Sequence, residues 1–282
     1  MDKKQRYFKI TEPMPGFYEI TSSFVQMHLV VGQHHALLVY TGYGFMNLPG
    51  IVRNITELPL YIVNSHGHFD HACGNSSFHQ SVYIHPADIP VFKTHNSERC
   101  RGIMYDSMRK MQKFLFFMPL LPGSVSRESC LHDDFDDFIE VTEGYTFELG
   151  GKTAEVVELP GHTPGSIGLY CRELRLLITS DAINSNVYMF LPESTKLSVY
   201  RESLYKAKSI DFDFFVTGHQ SRLYPKRLLD DYIDVADHLD YEKGKPQKEH
   251  ELTPGKEIRR CVQQGKPGKK AAGIVISADK LD

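Results

Sequence analysis

Four potential metal ligands lie within six residues of this chain, in the stretch His66-Gly67-His68-Phe69-Asp70-His71. Imidazole nitrogens and carboxylate oxygens are donors that divalent transition metals accept in proteins. Two histidines two positions apart, followed by an Asp-His pair, could hold one cation or two cations that share a site. The alternative is a polar loop that happens to contain three histidines. We interpret the stretch as a metal-binding motif, because short motifs of this density carry a specific chemistry.

The motif directly follows the apolar run 58–63, which is typical of a buried strand. Three more candidate ligands share this position after a predicted strand: His162 after 154–159, Asp181 after 174–179 and His219 after 212–216. Neighbouring strand ends meet at one rim of a sheet, so these side chains can meet although they lie far apart in sequence. A metal needs about four ligands, and catalysis needs an open position as well.

The elements that must hold these residues follow from the apolar pattern. Short apolar runs between turn signals predict strands at 17–20, 27–31, 36–40 and 81–85. Methionines and phenylalanines at helical spacing predict a helical insertion at about 87–140, which either packs as core or covers an apolar substrate. A further helix is predicted at 199–210.

The tail from about residue 242 is rich in Lys, Gly and Pro, which predicts a partly flexible connection, with a last strand at 273–276. No internal repeat and no boundary divides the sequence. We therefore expect a single domain over residues 1–282, of α/β class.

Composition excludes several classes of protein. The 282 residues are 41% hydrophobic and 24% charged, which is ordinary for a globular protein, and the formal net charge of -3 argues against a nucleic-acid partner. No apolar run approaches the roughly 20 residues needed to span a membrane, and none has the character of a signal peptide. Five dispersed cysteines favour free thiols. We expect a cytoplasmic protein with a small-molecule substrate; the oligomeric state stays open.

The order His66-x-His68-x-Asp70-His71, His162, Asp181, His219 resembles the ligand set of the metallo-β-lactamase superfamily, over about residues 17–225. The resemblance implies an αββα four-layer sandwich, with two mixed sheets face to face and helices outside. It also implies two cations. One would be held by His66, His68 and His162, and the other by Asp70, His71 and His219, with Asp181 as the bridge. This donor set suits Zn²⁺, with iron or manganese as alternatives.

Two details refine this resemblance. It has both His71 and Asp181, one of which β-lactam-cleaving members usually lack, so it looks more like the glyoxalase II, lactonase and thioesterase branches. Many members also carry Asp-Thr-Gly after an early strand, and that Asp orients metal-binding histidines. Here the stretch is Tyr40-Thr41-Gly42. Loss of such a carboxylate weakens metal affinity or activity by roughly 10- to 100-fold.

We therefore predict a binuclear metal-dependent hydrolase, in which a hydroxide bridging the cations attacks the substrate and Asp70 passes a proton to the leaving group. Tyr188 either contacts the substrate, as an oxyanion donor, or packs on the sheet rim. The preferred substrate is an ester, lactone or thioester, because the apolar insertion could cover an acyl chain. The alternatives are a phosphodiesterase or nuclease, a mononuclear iron dioxygenase acting on persulfides, and a metal-binding module without turnover.

Overall fold

The computed structural model describes residues 7–115, 120–263 and 272–282. The strands are β1 (Phe8–Met14), β2 (Phe17–Ser22), β3 (Val25–Val31), β4 (Ala36–Val39), β5 (Leu60–Asn64), β6 (Val82–Ile84), β7 (Phe138–Glu140), β8 (Thr146–Glu148), β9 (Thr153–Glu158), β10 (Ile167–Cys171), β11 (Leu176–Ser180), β12 (Asn186–Met189), β13 (Phe214–Thr217), β14 (Tyr224–Pro225), β15 (Lys245–Pro246), β16 (Arg259–Val262) and β17 (Gly273–Ile276). The helices are α1 (Leu48–Arg53), α2 (Phe69–Ala72), α3 (Ile89–His95), α4 (Glu98–Phe114), α5 (Arg127–Leu131), α6 (Leu197–Ser209) and α7 (Leu229–Asp237).

Two mixed sheets share one core. The first sheet runs in the order β1 to β7, antiparallel as far as β4 and parallel from there on. The second has the order β14-β13-β11-β10-β9-β8. Leu38 and Ile62 of the first sheet belong to the same buried cluster as Leu169 and Ile178 of the second. The sheets therefore pack face to face, as the sandwich prediction requires.

Helices cover the outer faces. Residues of the second sheet alternate between the two sides, so that Ile178 faces the shared core while its neighbour Leu177 packs with the second buried cluster, which contains Tyr200 of α6 and Leu229 of α7. Burial on both faces explains why β11 begins with three consecutive apolar residues, Leu176, Leu177 and Ile178. The predicted αββα class is confirmed.

Most predicted strands are present within a few residues, but the predicted insertion extends too far. Residues 138–140 form β7, an edge strand that pairs in parallel with β6, so the helical part of 87–140 ends earlier. β7 was not predicted from the sequence because it is three residues long and follows acidic residues. Part of the apolar run within the predicted insertion, 116–119, lies outside the described residues.

The tail builds a third sheet, in the order β12-β17-β16-β15. The strand predicted at 273–276 is confirmed as β17, which pairs in parallel with β12. The buried Lys280 donates hydrogen bonds from Nζ to the carbonyl oxygens of Pro192 (2.9 Å) and Ser194 (2.6 Å), which ties the chain end to the loop after β12. We predicted partial flexibility here; residues 264–271 lie outside the described part.

Two expectations concern the whole chain. All five cysteines are buried free thiols, as predicted. Among the described helices, none is both long and apolar enough to cross a bilayer.

If the tail strand is part of the packed structure, Ile274→Ala should destabilise the protein by about 2–5 kcal/mol, because Ile274 is fully buried in the second cluster. Urea unfolding at equilibrium measures this change. Ile10→Ala is the matched control, since Ile10 on β1 is 42% exposed. An equal, small loss in the free energy of unfolding for the two variants would show that β17 does not contribute to the core.

Candidate metal centre

The predicted ligands gather at one rim of the sandwich, between the two sheets. His66 follows β5 of the first sheet by two residues, whereas the other three strand ends, of β9, β11 and β13, belong to the second. From the sequence we predicted that all four strand ends lie at the rim of a single sheet, and this prediction is wrong. The rim is shared, because the carboxyl ends of β5, β9, β11 and β13 all face it. The structure brings all seven predicted side chains together.

One group consists of His66, His68 and His162, with one nitrogen from each ring within 4.8 Å of the others. The Nε2 atom of His162 lies 3.0 Å from Nδ1 of His68. Nδ1 of His162 donates to the carbonyl oxygen of Tyr188 at 2.8 Å, and a carbonyl can only accept. Burial lowers the pKa of His162 to about 4, so the ring is neutral at pH 7 and Nε2 carries a lone pair.

The second group consists of Asp70, His71 and His219. The carboxylate Oδ2 of Asp70 lies 3.4 Å from Nε2 of His71 and 3.6 Å from Nε2 of His219. Nδ1 of His219 is fixed by the carbonyl oxygen of Phe24 at 2.8 Å, which turns Nε2 toward the two carboxylates.

Asp181 stands between the groups. Its Oδ2 atom lies 2.9 Å from Nε2 of His219, 3.6 Å from Nε2 of His71 and 3.8 Å from Nε2 of His162. Oδ2 thus contacts one histidine of the first group and two of the second. Asp181 therefore lies within contact distance of both groups.

The electrostatics favour an ionised Asp181. Burial raises its pKa, but His219 and His71 outweigh this effect and hold the pKa well below the usual range. For His219 burial lowers the pKa, while Asp181 and Asp70 raise it, to about 10. A cation binding at Nε2 of His219 must therefore displace a proton, as is general for metal sites.

The donor set fits divalent cations. Among the described residues, the buried Nε2 atoms of His66 and His71 have no hydrogen-bond partner. A buried polar atom without a partner costs about 1–3 kcal/mol, so such atoms call for an explanation. His66 and His71 also form a group of converging ligand atoms with Asp181, and a cation bound there would give these rings a partner.

Tyr40 occupies the position where the family pattern has an aspartate. Its hydroxyl is hydrogen-bonded to Ser65 and lies 3.4 Å from Nδ1 of His66, while Oγ of Ser65 lies 3.2 Å from that nitrogen. Two hydroxyls thus hold His66 in place of a carboxylate.

Tyr40 (φ 76°) and Ser180 (φ 56°) both have left-handed backbone at the rim. Such strain costs about 1–3 kcal/mol and is typical of functional sites.

Asp88, which the sequence reading missed, joins the two loops that carry the first group. Its Oδ2 accepts from the amide of Gly67 (2.7 Å) and the hydroxyl of Thr163 (2.9 Å), and its Oδ1 accepts from the amide of Gly165 (2.7 Å). Burial raises the pKa of Asp88 to about 6, and these hydrogen bonds oppose the rise. No local sequence signal marked Asp88, because its partners lie 21 to 77 residues away.

Close approach explains two glycines at the rim. A Cβ atom on Gly67 would lie 2.4 Å from the amide nitrogen of Phe92 in α3, and one on Gly218 would lie 2.5 Å from Oδ1 of Asp181. Both loops can carry ligands this close together only because no side chain intervenes.

A cavity of about 250 Å³ opens above the ligands. Tyr188, predicted as a substrate contact, lines it, and its side chain is 41% exposed. Its backbone carbonyl also holds His162, a role that the sequence did not suggest. Further lining residues that the sequence reading missed are His95, Asn184, Leu191, His250 and Leu252.

Comparisons with known proteins agree with this geometry. The family model of the metallo-beta-lactamase superfamily matches residues 58–219, more than half of the chain. A curated relative, acyl-coenzyme A thioesterase MBLAC2 of Gallus gallus, is 28% identical over 239 residues, covering 78% of this chain and 82% of its own length. The probable metallo-hydrolase MJ0296 of Methanocaldococcus jannaschii is 22% identical and covers 64% of this chain and 68% of its own.

Solved structures show the same fold. A metallo-beta-lactamase family protein of Thermus thermophilus aligns with a TM-score of 0.55 at 19% identity and covers 79% of each chain. A metallo-beta-lactamase from Pontibacter korlensis aligns with a TM-score of 0.57 at 16% identity, covering 82% of this chain and 99% of its own.

If Asp88 joins the two ligand loops, Asp88→Asn should destabilise the protein by about 2–4 kcal/mol and lower the metal content of the purified protein. An amide has one acceptor oxygen and would turn its NH₂ group toward a donor, and hydrogen bonds to a charged group contribute about 1.5–3 kcal/mol each. Thermal unfolding and elemental analysis by mass spectrometry measure the two effects. Asp136→Asn, at an exposed ion pair with Lys93, is the control. Unchanged stability and metal content in Asp88→Asn would contradict this role.

Proposed function

Because the chain belongs to the metallo-β-lactamase superfamily, we propose that it is a hydrolase that holds two divalent cations and cleaves acyl thioesters. The observation that carries the proposal is the arrangement of two three-residue ligand groups around Asp181. His66, His68 and His162 would hold one cation, and Asp70, His71 and His219 the other, with Asp181 shared. Zinc suits these ligands, and iron or manganese would also be accepted.

Two bound cations supply an activated water as nucleophile and polarise the substrate carbonyl. The protein's own groups orient the reaction. Asp70 points Oδ2 into the site beside His71 and His219, where it can take up a proton and return it to the leaving group. Burial raises the pKa of Tyr188, and Asp181 and Asp70 raise it further, so its hydroxyl keeps the proton that it would donate to a developing oxyanion.

An apolar groove leads away from the site along α4. We call it the α4 groove; its volume is about 570 Å³ and its α4 lining is Ile103, Met104, Ser107, Met108, Lys110, Met111 and Phe114. Phe69, Asp70, Tyr188 and His219 line both this groove and the cavity above the ligands. A substrate carbonyl at the ligands would therefore place an apolar acyl chain along α4.

The far wall of the α4 groove comes from the tail. Glu249, His250, Glu251 and Leu252 line it, and the hydroxyl of Ser107 hydrogen-bonds to Glu251 across it. The ring of His250 lies 5.1 Å from that of Phe190. The apolar side chains of α4 support the choice of a thioester with an apolar acyl group, and the acyl-coenzyme A thioesterase relatives support it independently.

The other reactions considered from sequence account for less of the site. A mononuclear dioxygenase would bind its metal through the first group alone. Asp70, His71 and His219 would then bind no metal, although their ligand atoms converge. A phosphodiesterase or nuclease gains nothing from an apolar groove, and the net charge of -3 gives no general attraction for nucleic acid. A cytoplasmic location stays a prediction.

With the metal-loaded protein, we expect long-chain acyl thioesters to be hydrolysed faster than lactones or phosphodiesters in a panel of the three classes. Asp70→Ala should lower kcat by about 10²–10⁴-fold, the contribution typical of a positioned proton-transfer group. Release of free thiol, followed with a chromogenic thiol reagent, measures the thioester reaction. Asp106→Ala, at an exposed carboxylate on α4, should leave kcat unchanged. Cleavage of phosphodiesters alone, or full activity in Asp70→Ala, would contradict the proposal.

A charge in the α4 groove should affect only substrates that reach it. Met111→Glu should lower kcat/KM for a long-chain acyl thioester by about 10-fold or more, since each buried CH₂ contributes about 0.8 kcal/mol and a carboxylate must stay hydrated. Acetyl thioester hydrolysis should stay within about 2-fold of wild type. Ile10→Glu adds the same charge at an exposed site on β1 and should change neither rate. Equal losses for both chain lengths in Met111→Glu would contradict the assignment of the groove.

A further inference from the structure

We propose that Glu193 and His95 form a positioning pair that holds His68 in the tautomer and orientation needed to bind a cation through Nδ1. Neither residue belongs to the seven predicted ligands, and each comes from a part of the chain outside the ligand loops. Glu193 lies in the loop between β12 and α6, and His95 is the last residue of α3. The inference rests on the proposed metal site but not on the substrate.

The contacts are short and buried. Oε1 of Glu193 lies 2.8 Å from Nε2 of His68 and 2.8 Å from Nε2 of His95. The rings of His68 and His95 lie against each other in a tilted arrangement, with centroids 4.2 Å apart and planes 30° apart. The side chains of His68, His95 and Glu193 are only 7%, 5% and 14% exposed. Water therefore competes little for these hydrogen bonds.

The arrangement determines which nitrogen of His68 is free. A carboxylate only accepts, so Nε2 of His68 must carry the proton that it donates to Glu193. Nδ1, which faces Nε2 of His162 at 3.0 Å, is then left with a lone pair. Nε2 of His162 has a lone pair for the same reason, because Nδ1 of that ring donates to a carbonyl. Two lone pairs directed at one point favour a cation between them.

Among the histidine ligands, the described contacts give a carboxylate on the side away from the cation to His68 alone. His162 and His219 use carbonyl oxygens there, and His66 uses the hydroxyls of Ser65 and Tyr40. The carboxylate that the family pattern places at Tyr40 is thus absent near His66. Glu193 supplies one at the neighbouring ligand of the same group.

The loop that carries Glu193 is held from both sides. Lys280 donates to the carbonyl oxygens of Pro192 and Ser194, on either side of Glu193. The hydroxyl of Ser194 donates to the carbonyl oxygen of His162 at 2.9 Å. The tail and the first ligand group therefore fix the position of this carboxylate, as a positioning residue requires.

The same three residues could instead bind a third cation, because one ligand atom from each lies within 4.8 Å of the others. That would require the ring of His68 to lose both protons, since Nδ1 already faces the first group. Hydrogen bonds from two imidazole N–H groups to one carboxylate need no such loss, so we favour the positioning pair.

The test compares Glu193→Gln with wild type in full-length protein, with zinc as the probe. Competition with a chromogenic chelator gives the affinity of each zinc ion, and ¹⁵N NMR of histidine-labelled protein before zinc is added gives the tautomer of His68. Glu158→Gln is the matched control, because Glu158 pairs with His85, a histidine outside the ligand set, at 3.1 Å. His95→Phe keeps an aromatic ring beside His68 and removes the hydrogen bond to Glu193, which covers the case that Glu193→Gln does not fold.

We expect Glu193→Gln to lower the affinity for one zinc ion by about 10- to 100-fold and to shift His68 away from the Nε2–H tautomer. His95→Phe should lower the same affinity by a smaller factor. Glu158→Gln should leave both measurements unchanged. Wild-type zinc affinity in Glu193→Gln and His95→Phe, or weaker binding with an unchanged tautomer, would overturn the positioning pair. If wild type itself binds no zinc, the proposed metal site fails as well.

Discussion

A buried, ionised Asp181 is the constraint on which the rest of this rim depends. A charged carboxylate can be removed from water only if opposite charge and hydrogen-bond donors surround it. Here His219 and His71 approach the same oxygen and hold the pKa of Asp181 low, while the neutral ring of His162 lies 3.8 Å from it. Asp181 therefore needs helix α2, which carries His71, and the turn after β13, which carries His219, at one point.

The scaffold meets this requirement by bringing backbone close to backbone. Gly67 and Gly218 allow loops to approach within distances that a Cβ atom would block. Asp88 joins the loop after β5 to the loop after β9, and the left-handed backbone at Tyr40 and Ser180 turns the chain sharply at the ends of β4 and β11. The free energy for these strained and crowded positions comes from the shared core of the two sheets, which fixes β5, β9, β11 and β13 relative to one another.

The sequence was most informative where chemistry is concentrated in a short stretch or a strand is strongly apolar. The six residues from His66 to His71 and the runs before His162, Asp181 and His219 were sufficient to predict that the ligands converge, and the family resemblance that they carry implied the fold class. Residues whose role depends on distant partners gave no such signal. Asp88, His95 and Glu193 look like ordinary polar residues until folding brings their partners across distances of 21 to 125 residues. The short edge strand β7 and the pairing of the tail with β12 were not predicted for the same reason, because strand pairing over long sequence separations leaves no local signal.

The central claim is that the rim binds two cations, one in each ligand group. Anomalous X-ray diffraction at the zinc absorption edge, on crystals of zinc-loaded protein, tests this claim most directly because it locates each ion and counts them. The account predicts two peaks per chain, one among His66, His68 and His162 and one among Asp70, His71 and His219, with Asp181 in contact with both. A single peak, no peak at either group, or a peak between His95 and Glu193 would contradict it.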